Sequence, residues 1–170
     1  MGNITFILGG ARSGKSQYAI ELAKAKNTAF VATCQPLDNE MKERILLHKK
    51  ARPAHWKTFE ESEHLTELIK RTGDDFSIII IDCLTLLISN LLLKGLKKEV
   101  IESQVSKILC VIKKAKAKFI IVSNEVGLGI VPENKLARNF RDIAGRANQI
   151  VAAESSRVFF MVSGIPWRIK

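Results

Sequence analysis

Residues Gly9 to Ser16 read GGARSGKS and fit the spacing G-x-x-x-x-G-K-[ST] through Gly9, Gly14, Lys15 and Ser16. The β-rich run Ile4 to Leu8 precedes them, and Ser16 to Lys26 follows with helical periodicity through Tyr18, Ala19, Leu22 and Ala23. A strand that turns through a Gly-rich loop straight into a helix constrains the chain to open with a β-loop-α unit. The loop itself dictates a chemistry. Glycines let backbone N–H groups converge on phosphate oxygens, and the helix N-terminus adds partial positive charge. Lys15 can reach the β and γ phosphates, and the Ser16 hydroxyl can join a Mg²⁺ shell. The whole segment, Gly9, Gly10, Ala11, Arg12, Ser13, Gly14, Lys15 and Ser16, is therefore a candidate triphosphate cradle, a P-loop.

The rest of the chain alternates in the same way. Ala29 to Thr33 reads as a short strand, and Asp38 to Lys50 as a helix capped by Asp38 or Asn39. A polar, Pro-containing stretch, Ala51 to Thr58, is followed by a helix over Ser62 to Arg71 and by Gly73. Ser77 to Asp82 is a continuous Ile run, the mark of a central strand covered on both faces. Helices are predicted at Leu84 to Leu93 and Val100 to Lys116, and a buried strand at Phe119 to Ser123. A Gly-rich loop, Glu125 to Pro132, precedes a long helix, Asn134 to Ala153, in which Gly145 is a weak point. Val158 to Val162 is the last strong strand, and Trp167 to Ile169 reads as an edge strand after a Gly164–Pro166 turn. Such alternation predicts one α/β domain over residues 1–170, with a mostly parallel sheet and helices on both faces. Ligands in such sheets bind at the carboxyl ends of the strands.

Acidic residues fall at those ends. Asp82 closes the Ile run, where P-loop proteins place a Mg²⁺-holding acid, although it can also cap the helix beginning near Leu84. Glu125 follows the next strand and can orient an acceptor hydroxyl, act as a base or bind loop backbone. Of His48, His55 and His64, His48 has the best surroundings for chemistry. It shares a helical face with Met41 and Ile45 and is followed by Lys49, Lys50 and Arg52. Cations there favour the neutral, nucleophilic imidazole and can clamp a triphosphate, or they can simply complement the end of a helix.

Composition removes several alternatives. The three cysteines, Cys34, Cys83 and Cys110, contain no C-x-x-C pair, which argues against a disulfide framework and a zinc site. Cys83 and Cys110 read as small buried hydrophobes. No apolar run approaches the roughly 18–20 residues of a membrane span, and no signal peptide is evident, so a cytoplasmic protein is expected. The net charge of +10 raises the question of nucleic acid. However, Lys113, Lys114, Lys116 and Lys118 fall on the polar face of an apolar helical pattern without interleaved aromatics, so no nucleic-acid partner is expected.

The motifs together resemble a known family. GGARSGKS, ATCQ (Ala32 to Gln35), RPAHW (Arg52 to Trp56), NEVGLGIVPEN (Asn124 to Asn134), FRDIAGRANQ (Phe140 to Gln149) and the closing VSGI (Val162 to Ile165) are similar to the bifunctional adenosylcobinamide kinase / adenosylcobinamide-phosphate guanylyltransferases. The NEVGLGIVPEN and FRDIAGR segments are far more specific than the loop. The resemblance implies a RecA-like P-loop fold, ATP or GTP as phosphoryl donor to adenosylcobinamide, and GTP as GMP donor to the resulting phosphate. It implies His48 as the residue that carries GMP, and a homotrimer. It further implies nucleotide contacts from Thr33, Cys34 and Gln35 and from Lys49, Lys50, Ala51 and Arg52, completed by Glu60 and Asp82. Two rival readings predict different behaviour. A P-loop kinase without guanylyl transfer forms no covalent GMP, and a basic nucleic-acid ATPase binds DNA or RNA with strong salt dependence.

Overall fold

The computed structural model describes residues 4–23, 27–36, 39–50 and 52–170; the side chains at 40, 41, 44, 47 and 48 lie outside that description. The elements run β1 (Ile4–Gly9), α1 (Lys15–Ala23), β2 (Thr28–Ala32), α2 (Asn39–Lys50), β3 (Lys57–Glu60), α3 (Leu65–Thr72), β4 (Ile78–Asp82), α4 (Leu84–Leu93), α5 (Lys98–Ile112), β5 (Lys118–Asn124), α6 (Lys135–Glu154), β6 (Arg157–Val162) and β7 (Ile165–Arg168).

One seven-stranded sheet has the order β3-β2-β4-β5-β1-β6-β7. All neighbours are parallel except β6 and β7, which pair antiparallel at the edge. Alternate strand residues feed two cores, as the period-2 geometry of a strand requires. Phe6, Leu8, Val31, Ile79, Ile81, Phe119 and Ile121 pack with the apolar stripes of α3, α4, α5 and α6. On the other face Ile7, Phe30, Ile80, Ile120 and Val122 pack with Ala19, Ile20 and Ala23 of α1 and with Trp56. The central Ile79, Ile80 and Ile81 are sealed from water, so trimming any one to Ala costs about 2–5 kcal/mol. No helix among the described residues is long and apolar enough to cross a membrane.

Several sequence expectations shift. β3 was not foreseen: it is four residues long, half exposed, and held by parallel pairing to β2 rather than by an apolar run. α3 starts at Leu65 because the Glu61 carboxylate accepts from the backbone N–H groups of Glu63 and His64, forming a turn ahead of the helix. α5 ends at Ile112, its last buried anchor, so Lys113, Lys114 and Lys116 occupy the following turn and Lys118 opens β5. They are not the polar face of a helix. Cys110 is exposed, because the buried stripe of α5 runs through Ile108, Leu109 and Ile112 and leaves position 110 outward. Cys83 is buried, as expected. α6 runs unbroken through Gly145 and is capped by the Asn134 side chain, which accepts from the N–H groups of Leu136 and Ala137. β7 begins at Ile165, and the hairpin turn is Ser163–Gly164. Asp38, the alternative cap for α2, lies outside the described residues.

Candidate active site

The P-loop joins β1 to α1 at the carboxyl edge of the sheet. Gly10, Ala11 and Arg12 are exposed, whereas Ser13 and Lys15 are buried. Arg12 takes φ 56° and Gly14 φ 93°, so the loop folds back on itself before the helix begins. Lys15 Nζ donates to the Gly10 carbonyl and lies 3.4 Å from Ser13 Oγ, spanning the mouth of the loop. Burial pulls its proton affinity below the ordinary lysine value, with Cys83 and Asp82 acting against the shift. A buried ammonium hydrogen-bonded, among the described residues, to neutral oxygens is suited to take up an anion.

Ser16 Oγ donates to Asp82 Oδ2 at 2.6 Å. The contact brings together residues 66 apart in sequence, from the start of α1 and the end of β4. The capping alternative for Asp82 is not realised, since the N-cap of α4 is Cys83, with no side-chain cap hydrogen bond. Two hard oxygen donors at the mouth of a phosphate loop suit a hard divalent cation. Behind them the Cys83 thiol is pushed up to about 12 by burial and then by the Asp82 charge, which keeps it a neutral wall of the site.

A second group of cations stands beside Asp82. The Arg52 guanidinium lies 3.6 Å above the Phe30 ring, and its Nε and one terminal nitrogen are buried without an acceptor. Burial lowers its proton affinity, and the Asp82 and Glu60 charges hold it up. The Trp56 indole N–H is also buried without a partner. Lys49 and Glu60 form an ion pair, and Lys49, Arg52, Trp56 and Glu60 line one cavity of about 420 Å³. Three buried nitrogens, Arg52 Nε, one Arg52 terminal nitrogen and Trp56 Nε1, have no acceptor among the described residues, a deficit that the oxygens of a nucleotide phosphate can supply. Lys50 is exposed next to them. Ala51 and the side chain of His48 lie outside the described residues; the His48 backbone belongs to α2.

The end of β2 contributes mainly support. Thr33 Oγ1 donates to the Cys83 carbonyl and accepts from the Cys83 N–H, both at 2.7 Å, tying β2 to β4. Cys34 is half-buried, and the Gln35 amide donates to Ser62 Oγ at 2.8 Å. Glu125 donates its backbone N–H to the Gly9 carbonyl at 3.0 Å, and its carboxylate accepts from the Gly127 N–H. Both contacts are with backbone, one of the three roles the sequence left open.

Sequence reasoning gave no role to Thr85, Ser123 and Asn148. Ser123 Oγ donates to Asn148 Oδ1 at 2.7 Å and lies 2.9 Å from Thr85 Oγ1, which accepts from the Asn124 N–H. Asn148 returns its amide to the Asn124 carbonyl. This buried network fixes the carboxyl end of β5 beside the P-loop. The only sequence signal was a polar residue, Asn148, on the apolar side of α6.

Residues 5–169 match the family model for cobinamide kinase / cobinamide phosphate guanyltransferase. The chain is 41% identical to the Escherichia coli K12 bifunctional adenosylcobalamin biosynthesis protein CobU over 177 aligned positions, covering 96% of this chain and 98% of the relative. It is 42% identical to the Salmonella typhimurium LT2 protein of the same name, with the same coverage. The Pseudomonas aeruginosa PAO1 bifunctional adenosylcobalamin biosynthesis protein CobP is 40% identical, covering 96% of this chain and 95% of the relative. With the phosphate loop, the Ser16–Asp82 contact and this near-complete correspondence in place, the chain belongs to the cobinamide kinase / cobinamide phosphate guanyltransferase family.

Proposed function

We propose that this chain is a bifunctional enzyme of adenosylcobalamin biosynthesis, acting as one catalytic domain over residues 1–170. It phosphorylates the aminopropanol hydroxyl of adenosylcobinamide and then transfers GMP from GTP to that phosphate. The observation that carries the reading is the Ser16–Asp82 contact at the loop mouth, flanked by the unpaired donors of Arg52. In the kinase reaction the acceptor oxygen attacks the γ-phosphorus of ATP or GTP, the bond from that phosphorus to the β,γ-bridging oxygen breaks so that ADP or GDP leaves, and the hydroxyl proton passes to solvent. Lys15 and the loop N–H groups stabilise the charge on the transferred group. Bound Mg²⁺, held by Ser16 and Asp82, supplies further charge neutralisation there.

In the transferase reaction neutral His48 attacks the α-phosphorus of GTP, and pyrophosphate leaves. A phosphate oxygen of adenosylcobinamide phosphate then displaces the imidazole, giving adenosylcobinamide-GDP. One difficult displacement becomes two easier ones. Lys49, Lys50 and Arg52 neutralise the developing charge, with Glu60 holding Lys49 in place. Thr33, Cys34, Gln35 and Ala51 complete the nucleotide-contacting segments. The protein works in the cytoplasm as a homotrimer whose neighbouring subunits help to enclose the site.

The test is direct. The protein is incubated with α-labelled GTP and Mg²⁺ and then denatured. An acid-labile, alkali-stable label that disappears in His48→Ala is the expected result. Phosphorylation of adenosylcobinamide without any label leaves a kinase alone, and an unlabelled protein across metals and nucleotides ends the guanylyl-transfer reading.

A further inference from the structure

The closing VSGI segment has no role in the chemistry above, yet it touches the phosphate loop. The β6–β7 turn places Ser163 at φ 50° and Gly164 at φ 84°, the pattern of a two-residue hairpin turn with both residues left-handed. The Gly164 N–H donates to the Ser13 carbonyl at 3.0 Å. A Cβ built on Gly14 would lie 3.1 Å from Gly164 Cα and 3.7 Å from Met161 Cε. A Cβ on Gly9 would lie 2.7 Å from the Met161 carbonyl. The end of β6 and the hairpin turn therefore form the outer wall of the P-loop.

We propose that Gly164 is a positioning residue that orients one phosphate-binding donor of the loop: by holding the Ser13 carbonyl outward, its N–H turns the Gly14 N–H inward. The reason is the planarity of the peptide unit. In a trans peptide the carbonyl of Ser13 and the N–H of Gly14 point in opposite directions, and neither can rotate alone. Fixing the first fixes the second before any nucleotide arrives. Only a residue that is comfortable at φ 84° can present its N–H from this turn. The inference rests on the P-loop reading of Gly9 to Ser16 and is independent of whether His48 carries GMP.

The protein supplies its own control. Gly95, just beyond α4, has φ 81°, and like Gly164 it has open space where a Cβ would sit. Gly95→Ala and Gly164→Ala therefore carry matched backbone strain, but only the second disturbs the loop. The probe is inorganic pyrophosphate with Mg²⁺, titrated by calorimetry into wild type, Gly164→Ala, Gly164→Asn and Gly95→Ala. Loss of one oriented hydrogen bond to an anion predicts pyrophosphate binding weakened about tenfold to a hundredfold in Gly164→Ala. Asn accepts left-handed φ, so Gly164→Asn recovers most of the affinity and also serves if the Ala variant does not fold. Gly95→Ala binds pyrophosphate as wild type does. Wild-type affinity in Gly164→Ala, an equal loss in Gly95→Ala, or no recovery in Gly164→Asn overturns the proposal. A wild-type protein that binds no pyrophosphate would instead sink the P-loop reading beneath it.

Discussion

Truncating Asn148 to Ala tests whether the buried network at the end of β5 supports the active site. Asn148 is 4% exposed, and its side chain makes two hydrogen bonds among the described residues, accepting from Ser123 Oγ at 2.7 Å and donating to the Asn124 carbonyl at 3.2 Å. Each is worth about 0.5–1.5 kcal/mol net. Ser123 keeps Thr85 as a partner, but the Asn124 carbonyl loses its amide donor, and the missing side-chain atoms leave a small void. Together these place the loss at about 2–4 kcal/mol. For a domain of this size each kcal/mol moves Tm by about 2–4 °C, so Tm falls by roughly 5–15 °C. The neighbouring Gln149 is exposed and bonds only to Arg146 Nη1 among the described contacts, so Gln149→Ala shifts stability by no more than about 0.5 kcal/mol. Thermal unfolding and urea titration of both variants provide the measurement. Because Glu125 bonds to Gly9 from the same strand end, Asn148→Ala also raises KM for nucleotide in both reactions. An Asn148→Ala protein within about 1 kcal/mol of wild type, or a Gln149→Ala protein that loses as much, refutes the reasoning.

Two further outcomes follow from individual side chains. At mild pH a thiol-alkylating reagent modifies exposed Cys110 in the folded protein, whereas buried Cys83, with its thiol pushed up to about 12, reacts only after unfolding; mass spectrometry of the modified peptides reads this, and early modification of Cys83 contradicts the burial argument. Glu63 is held below the ordinary carboxylate value chiefly by its hydrogen bond to Lys94, so the pair contributes to stability above that value and the contribution disappears as pH falls through the lowered one. The stability difference between wild type and Lys94→Met should therefore close toward acid pH, and a difference that persists or widens there contradicts the sign.

What the sequence made legible was local. Gly9 to Ser16 carries its loop chemistry in eight consecutive residues, and the Ile run declares a central strand from composition alone. β3 escaped because an edge strand needs no apolar run; its stability comes from pairing with β2. Lys113 to Lys116 looked helical because charge alone cannot mark where the buried stripe stops, and Ile112 is where it stops. The Cys110 expectation failed for the same reason, since one helical step decides between core and water. The contacts that organise the site, Ser16 with Asp82, Ser13 with Gly164 and Ser123 with Asn148, join residues far apart in sequence, which a parallel sheet builds only through its crossovers.

The strand order explains why these contacts belong to one device. β5 lies between β1, which ends in the P-loop, and β4, which ends in Asp82. With neighbouring strands about 4.8 Å apart, β1 and β4 are separated by roughly 10 Å, too far for a direct side-chain contact across the strand ends. The Ser16–Asp82 bond forms because the start of α1 leans across the carboxyl end of β5. That end must be held still and must not compete for the same groups. The Thr85–Ser123–Asn148 network meets both requirements, since it occupies the Ser123 hydroxyl internally and fixes Asn124 from both its N–H and its carbonyl. Glu125 then passes the anchoring to Gly9 at the rear of the loop, while Gly164 holds Ser13 at its outer wall. The loop is thus tied from two sides, at the Gly9 carbonyl by Glu125 and at the Ser13 carbonyl by Gly164, through backbone bonds that leave the side chains of Lys15 and Ser16 to their own contacts.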